Sequence, residues 1–138
     1  MKKLFLLILL SIAFLSGCGG SSGGGSSSPA VDANGNSAPT LASISNQSTN
    51  EDTAKSVTLS GSDSDAGDTL TYAATSSTSN VTPSISGTTL TLTPAANWNG
   101  TASISAKVND GTVDSATTTF SLTVSAVNDA PTLSAITN

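Results

Sequence analysis

Asp63, Asp65 and Asp68 fall within six positions of one another, and Asp110 heads an Asp-Gly turn further along the chain. Carboxylates that converge repel unless water or a cation separates them. Calcium takes about six to eight oxygen ligands from carboxylates, amide oxygens and main-chain carbonyls, and Asn109 adds an amide oxygen beside Asp110. An EF-hand is excluded. Counting from Asp63 as the first position, the Gly required at the sixth is Asp68 and the Glu required at the twelfth is Ala74. A cation site here therefore has to be assembled from separate loops.

The elements that would position those loops follow from alternation. Val57 and Leu59; Leu70, Tyr72 and Ala74; Leu90 and Leu92; Ala102, Ile104, Ala106 and Val108; and Phe120, Leu122 and Val124 each place apolar side chains at every second position. Ser, Thr or Lys occupy the other face, the signature of half-buried strands. With Leu41 to Ser45 and a short strand near Ser84 to Ser86, seven strands are expected, separated by turn formers such as Gly61, Ser86-Gly87, Asn99-Gly100 and Asp110-Gly111. Seven short antiparallel strands over residues 38–127 describe an all-β, Greek-key sandwich. The loop after the second strand and the turn after the sixth then lie at one end, so the four carboxylates are expected to converge there. Tyr72, Trp98 and Phe120 are the aromatic residues of this region, and Trp98 is expected to plug an end of the sandwich.

The N-terminus reads as an address. Met1, Lys2 and Lys3 precede an apolar run from Leu4 to Leu15, interrupted only by Ser11. A membrane-spanning helix needs about 20 residues, so this is a secretory signal peptide. Leu15, Ser16, Gly17 and Cys18 resemble the lipobox of bacterial lipoproteins. That resemblance implies removal of residues 1–17, acylation of Cys18 as a membrane anchor, and, with Gly19 after it, placement at the outer membrane or cell surface. Two or three acyl chains hold firmly where one does not, since each buried methylene contributes about 0.8 kcal/mol. Gly19 to Ser28 contain only Gly and Ser. Residues 18–37 therefore read as a flexible tether, its Gly/Ser core spanning under roughly 20 Å as a coil.

The chain also repeats itself. Asn128, Ala130, Pro131, Thr132, Leu133, Ile136 and Asn138 match Asn36, Ala38, Pro39, Thr40, Leu41, Ile44 and Asn46, giving 7 identities in 11 positions at a period of 92. A period of that length marks an array of modules. Residues 38–127 are expected to form one module, and 128–138 the linker and first strand of a second, truncated one.

Asp63-Ser64-Asp65-Ala66-Gly67-Asp68-Thr69-Leu70-Thr71-Tyr72, Val108-Asn109-Asp110-Gly111 and Val127-Asn128-Asp129-Ala130-Pro131 together resemble bacterial cadherin-like, Ig-like repeats, and the run from Pro94 to Gly100 fits the same group. In such repeats calcium sits between successive domains. Carried over by motif, the resemblance implies Asp63, Asp65 and Asp110 as ligands at one edge, Glu51 or Asp52 at the opposite edge, and Asn128 and Asp129 in the linker. Asp68 has no counterpart and reads as the polar start of a strand. The chain departs from the animal pattern in two places: Leu90 to Pro94 carry no carboxylate, and Ser37 stands where the later linker has Asp129.

Charge and composition exclude other classes. Nine acidic residues face four basic ones, and Lys2 and Lys3 lie in the signal peptide, so Lys55 and Lys107 are the basic side chains of the mature chain. Nucleic acid, whose binding depends on neutralising phosphates, is not an expected partner. The chain has no His, and its one Cys is the lipidation candidate, so the usual nucleophile and base pairings are missing and no enzyme is expected. One Cys also forbids an internal disulfide. The expected function is a lipid-anchored adhesion or stalk module, stiffened by calcium at its domain edges. Its expected partners are the membrane, further repeats of the chain, and a cell-surface or matrix protein or glycan. The alternatives are a carbohydrate-binding or accessory module of a larger surface enzyme, or a metal-free spacer.

Overall fold

The computed structural model describes residues 31, 33–131 and 133. The expected signal peptide, Cys18, the Gly/Ser run and most of the expected opening of a second repeat lie outside the described residues. The strands are β1 (Thr40–Leu41), β2 (Gln47–Asn50), β3 (Lys55–Thr58), β4 (Gly61–Ser62), β5 (Thr71–Ser76), β6 (Val81–Ser86), β7 (Thr89–Pro94), β8 (Gly100–Asn109) and β9 (Thr118–Ser125). One sheet has the order β2-β9-β8-β5, a second β3-β7-β6, and β1 pairs with β4 as a short ladder. The described chain is all-β, as the alternation requires.

The described residues form nine strands where the sequence predicts seven, because two predicted strands are each broken. The first does not run from Leu41 to Ser45. It ends at Leu41 against β4, and the chain then crosses to the other sheet, where β2 lies parallel to β9 with Gln47 opposite Leu122. Strands that switch sheets do so at bends, and the polar Gln47–Asn50 run has no apolar alternation to reveal it. The second strand is interrupted at Leu59 and Ser60. Leu59 stays buried and donates its N–H to the Thr88 carbonyl at 2.8 Å, while the Ser60 carbonyl accepts from the Ala42 N–H at 2.9 Å. The short strand near Ser84 begins earlier, at Val81, which is also buried.

The core is the one the alternation marks. Val57, Leu59, Leu90, Leu92, Ala102, Ile104, Phe120, Leu122 and Val124 pack with Val81 between the sheets. Each large aliphatic side chain withdrawn from water there contributes about 1.5–3 kcal/mol. Gly87, at φ +58, opens the two-residue β6–β7 hairpin that sets Ser86 opposite Thr89. Trp98 packs against the edge of the core, and its ring lies so close over Gly100 that a Cβ there would sit 2.9 Å from it.

The boundary that composition places after residue 37 shifts. Val31 forms a β-bridge with Ser37, and Ser37 is buried. The last residues assigned to the tether are therefore part of the folded end of the domain.

Candidate metal centre

Two strand ends deliver the acids. β4 ends at Ser62, one residue before Asp63, and β8 ends at Asn109, one residue before Asp110. Thr71 at the start of β5 pairs with Asn109, so the loop carrying Asp65 and Asp68 and the turn carrying Asp110 share one end of the sandwich. One carboxylate oxygen each from Asp63, Asp68 and Asp110 lies within 4.8 Å of the other two.

Short-range turns hold these side chains. The Oδ1 of Asp63 accepts the Asp65 N–H at 2.8 Å, an Asx turn. The Oδ1 of Asp110 accepts the N–H groups of Thr112 at 2.6 Å and Val113 at 2.7 Å, and its Oδ2 accepts Asn36 Nδ2 at 2.9 Å. Those donors, the Val113 amide first and Asn36 next, hold the buried Asp110 carboxyl below its ordinary value. Asp68 is pushed up, first by loss of surrounding water and then by the charges of Asp63, Asp110 and Asp65. Asp63 Oδ2 is shielded from solvent and has no hydrogen-bond partner among the described residues. A buried polar atom left unpaired costs free energy. The donor set is all oxygen, the chemistry that hard cations select.

Asp65 adjoins this group without joining it; its Oδ2 accepts the Ser37 N–H at 2.6 Å. Asp68, which spacing placed among the converging acids and the repeat motif left without a counterpart, stands with Asp63 and Asp110 where the motif implied Asp65. Sequence reasoning missed Asn36, although the repeat of Asn36 at Asn128 was a signal.

Glu51 and Asp52 lie at the opposite end. Glu51 is buried, donates its N–H to the Ser125 carbonyl at 2.9 Å, and accepts the Val127 N–H on Oε1. Asp52, at φ +59, accepts the Asn97 N–H on Oδ1 at 3.0 Å. Asn128 and Asp129 follow Val127 and are exposed. Among the described residues, Glu51, Asp52 and Asp129 are not brought together as the other three acids are. The expected ligands are thus divided between two ends of one module.

Two solved structures are similar to part of this chain. An endo-fucoidan hydrolase from glycoside hydrolase family 107 is 22% identical over 66% of this chain and 14% of its own, with a TM-score of 0.47. A nucleoside hydrolase-related hypothetical protein from Saccharophagus degradans, associated with carbohydrate metabolism, is 18% identical over 67% of this chain and 26% of its own, again with a TM-score of 0.47. This chain therefore spans a small fraction of either protein. No curated protein sequence matches it. The sequence profile of the bacterial Ig domain matches residues 36–123, from the Asn that reaches Asp110 to the middle of β9, and the chain belongs to that family.

Proposed function

We propose that this bacterial Ig module is a lipid-anchored, cell-surface stalk or adhesion unit in which calcium binds at the end formed by Asp63, Asp68 and Asp110. The observation that carries the reading is Asp63 Oδ2, buried and unpartnered in a carboxylate group that repels itself. A calcium ion would satisfy that oxygen and cancel the repulsion. Asp65, or main chain of the same loops, would supply further oxygens. In a tandem array the acids at the other end, with Asn128 and Asp129, would complete a shared site and turn a flexible string into a rod. Acylated Cys18 would place the rod at the outer membrane, with a surface protein or glycan as its adhesive partner.

Thermal unfolding in millimolar calcium and in chelator tests this, on the chain alone and on the chain extended by one following repeat. Calcium at a hundred times its dissociation constant stabilises a single site by about 2.7 kcal/mol, a rise of roughly 10 °C or more for a domain of this size. A rise only in the extended chain assigns the ion to the junction between modules. No rise in either removes calcium from the mechanism and leaves a metal-free spacer or accessory module.

A further inference from the structure

Among the described residues the two larger sheets end in four edge strands, β2, β3, β5 and β6, and three of them are guarded. β2 and β3 are four residues long; Glu51 and Asp52 follow the first, and Lys55 begins the second. β6 carries Pro83. The Ala95 N–H donates to the Asn80 carbonyl at 2.7 Å in the register of the β6–β7 ladder, so alternation turns Thr82 and Ser84 toward β7 and sets Pro83 where an N–H would face outward. Short length, charge and Pro are the means by which sheets block unwanted pairing. β5 has none of them. Its six residues, Thr71–Ser76, include no charge, Pro or Gly.

The hydrogen bonds of β5 show which of its groups are free. The Ser77 N–H donates to the Ser103 carbonyl at 2.9 Å in the register of the β5–β8 ladder, while the Val108 carbonyl turns the other way and accepts from Ser115 at 2.7 Å. Thr71, Ala73 and Thr75 therefore bond β8, and the N–H and C=O groups of Tyr72, Ala74 and Ser76 point away from it. Among the described residues no strand pairs with β5 on that side. An open groove lined by Ala74, Thr75, Ser76, Val81, Thr82 and Pro83 lies between it and β6.

We propose that this edge pairs antiparallel with the same edge of a second copy of the chain, about a two-fold axis at Ala74, joining two four-stranded sheets into one. Alternation of faces and of hydrogen bonds selects that register. Ala74 meets Ala74 of the other copy and Tyr72 meets Ser76, so all three outward residues exchange hydrogen bonds, and exposed Ala73 lies opposite exposed Thr75. A two-fold at Ala73 would set Ser76 against Leu70, outside the strand. Charge favours the same arrangement. The chain is acidic, with a net charge of −5, and copies repel; here the two Asp68 ends lie at opposite ends of the pair, roughly 30 Å or more apart, well beyond the Debye length of about 8 Å. Each Asp68 end instead adjoins residues 76–80 of the other copy, which carry no charge. The pairing does not depend on calcium. Its consequence, that antiparallel modules suit chains reaching from two facing surfaces, rests on the anchored reading above.

The test uses the chain without residues 1–17, whose apolar run would associate by itself, and with Cys18→Ser, in chelator so that calcium plays no part. Ala73→Cys and Thr75→Cys are made in separate chains. In the proposed register they face each other at a non-hydrogen-bonded pair with Cα atoms about 4.5 Å apart, within disulfide reach. Two chains of the same variant place their cysteines diagonally, about 7–8 Å apart and outside that reach. Mixed in a glutathione redox buffer, the two chains are expected to form the heterodimer, identified by mass, at least tenfold above either homodimer. Ala73→Glu with Thr75→Glu sets like charges directly opposite at positions exposed in the single chain. By sedimentation equilibrium it should weaken dimerisation of the chain at least tenfold, with the melting temperature of the monomer unchanged. A statistical mixture of the three disulfides, an excess of either homodimer, a parent chain that stays monomeric up to about millimolar concentration, or dimerisation indifferent to the two Glu substitutions overturns the proposal.

Discussion

The side-chain amide of Asn36 donates to Asp110 Oδ2 at 2.9 Å, joining the entry of the domain to a turn 74 residues later. With the Thr112 and Val113 amides on Oδ1, Asp110 accepts three hydrogen bonds. It is the fixed member of the acid group, while Asp68 is the exposed member pressed toward it.

That asymmetry separates the two residues by sign. Asp68→Asn removes a charge that its neighbours disfavour, so at neutral pH in chelator the variant melts higher than the parent. In saturating calcium the order reverses, because the variant has lost a ligand. Thermal melts in both buffers check this. A variant that melts above the parent in both would deny Asp68 a place in the metal site.

The pH dependence follows from the two directions. The Asp110 value is lowered by folding, so its contribution is present above the ordinary aspartate value of 3.8 and is lost as pH falls through and below it. The Asp68 value is raised, so in metal-free protein its cost enters as pH rises above 3.8 and is complete once the folded-state group has ionised. Denaturant titrations in chelator should show Asp110→Asn flattening the acid limb of the stability curve. Asp68→Asn should flatten the decline above it.

Gly100 starts β8 at φ +151, with the Trp98 ring where a Cβ would go. Gly100→Ala should cost on the order of 2 kcal/mol or more, from backbone strain and overpacking together. Equilibrium unfolding measures the loss, and a red shift of the single tryptophan's emission reports that the ring has been pushed outward. Unchanged stability with unchanged emission would mean that the ring does not rest on Gly100.

The alternation of Leu90 with Leu92, of Ala102 through Val108 and of Phe120 through Val124 determined the strands and the core by itself, because side chains that alternate between two faces leave one register in which the apolar set is buried. Those strands suffice for the all-β sandwich and for bringing the Asp63 and Asp110 loops to one end. The path of Gln47–Asn50 was not legible, since a polar edge strand is held by main-chain bonds to β9 that no side-chain pattern records. Nor could spacing along the chain decide which acids meet. Asp65 lies closer in sequence to Asp63 than Asp68 does, yet the Asx turn and the Ser37 amide engage Asp65 separately while Asp68 comes to within 4.8 Å of Asp63 and Asp110. Which carboxylates face one another depends on loop conformation and on a segment dozens of residues away, and only tertiary structure sets those.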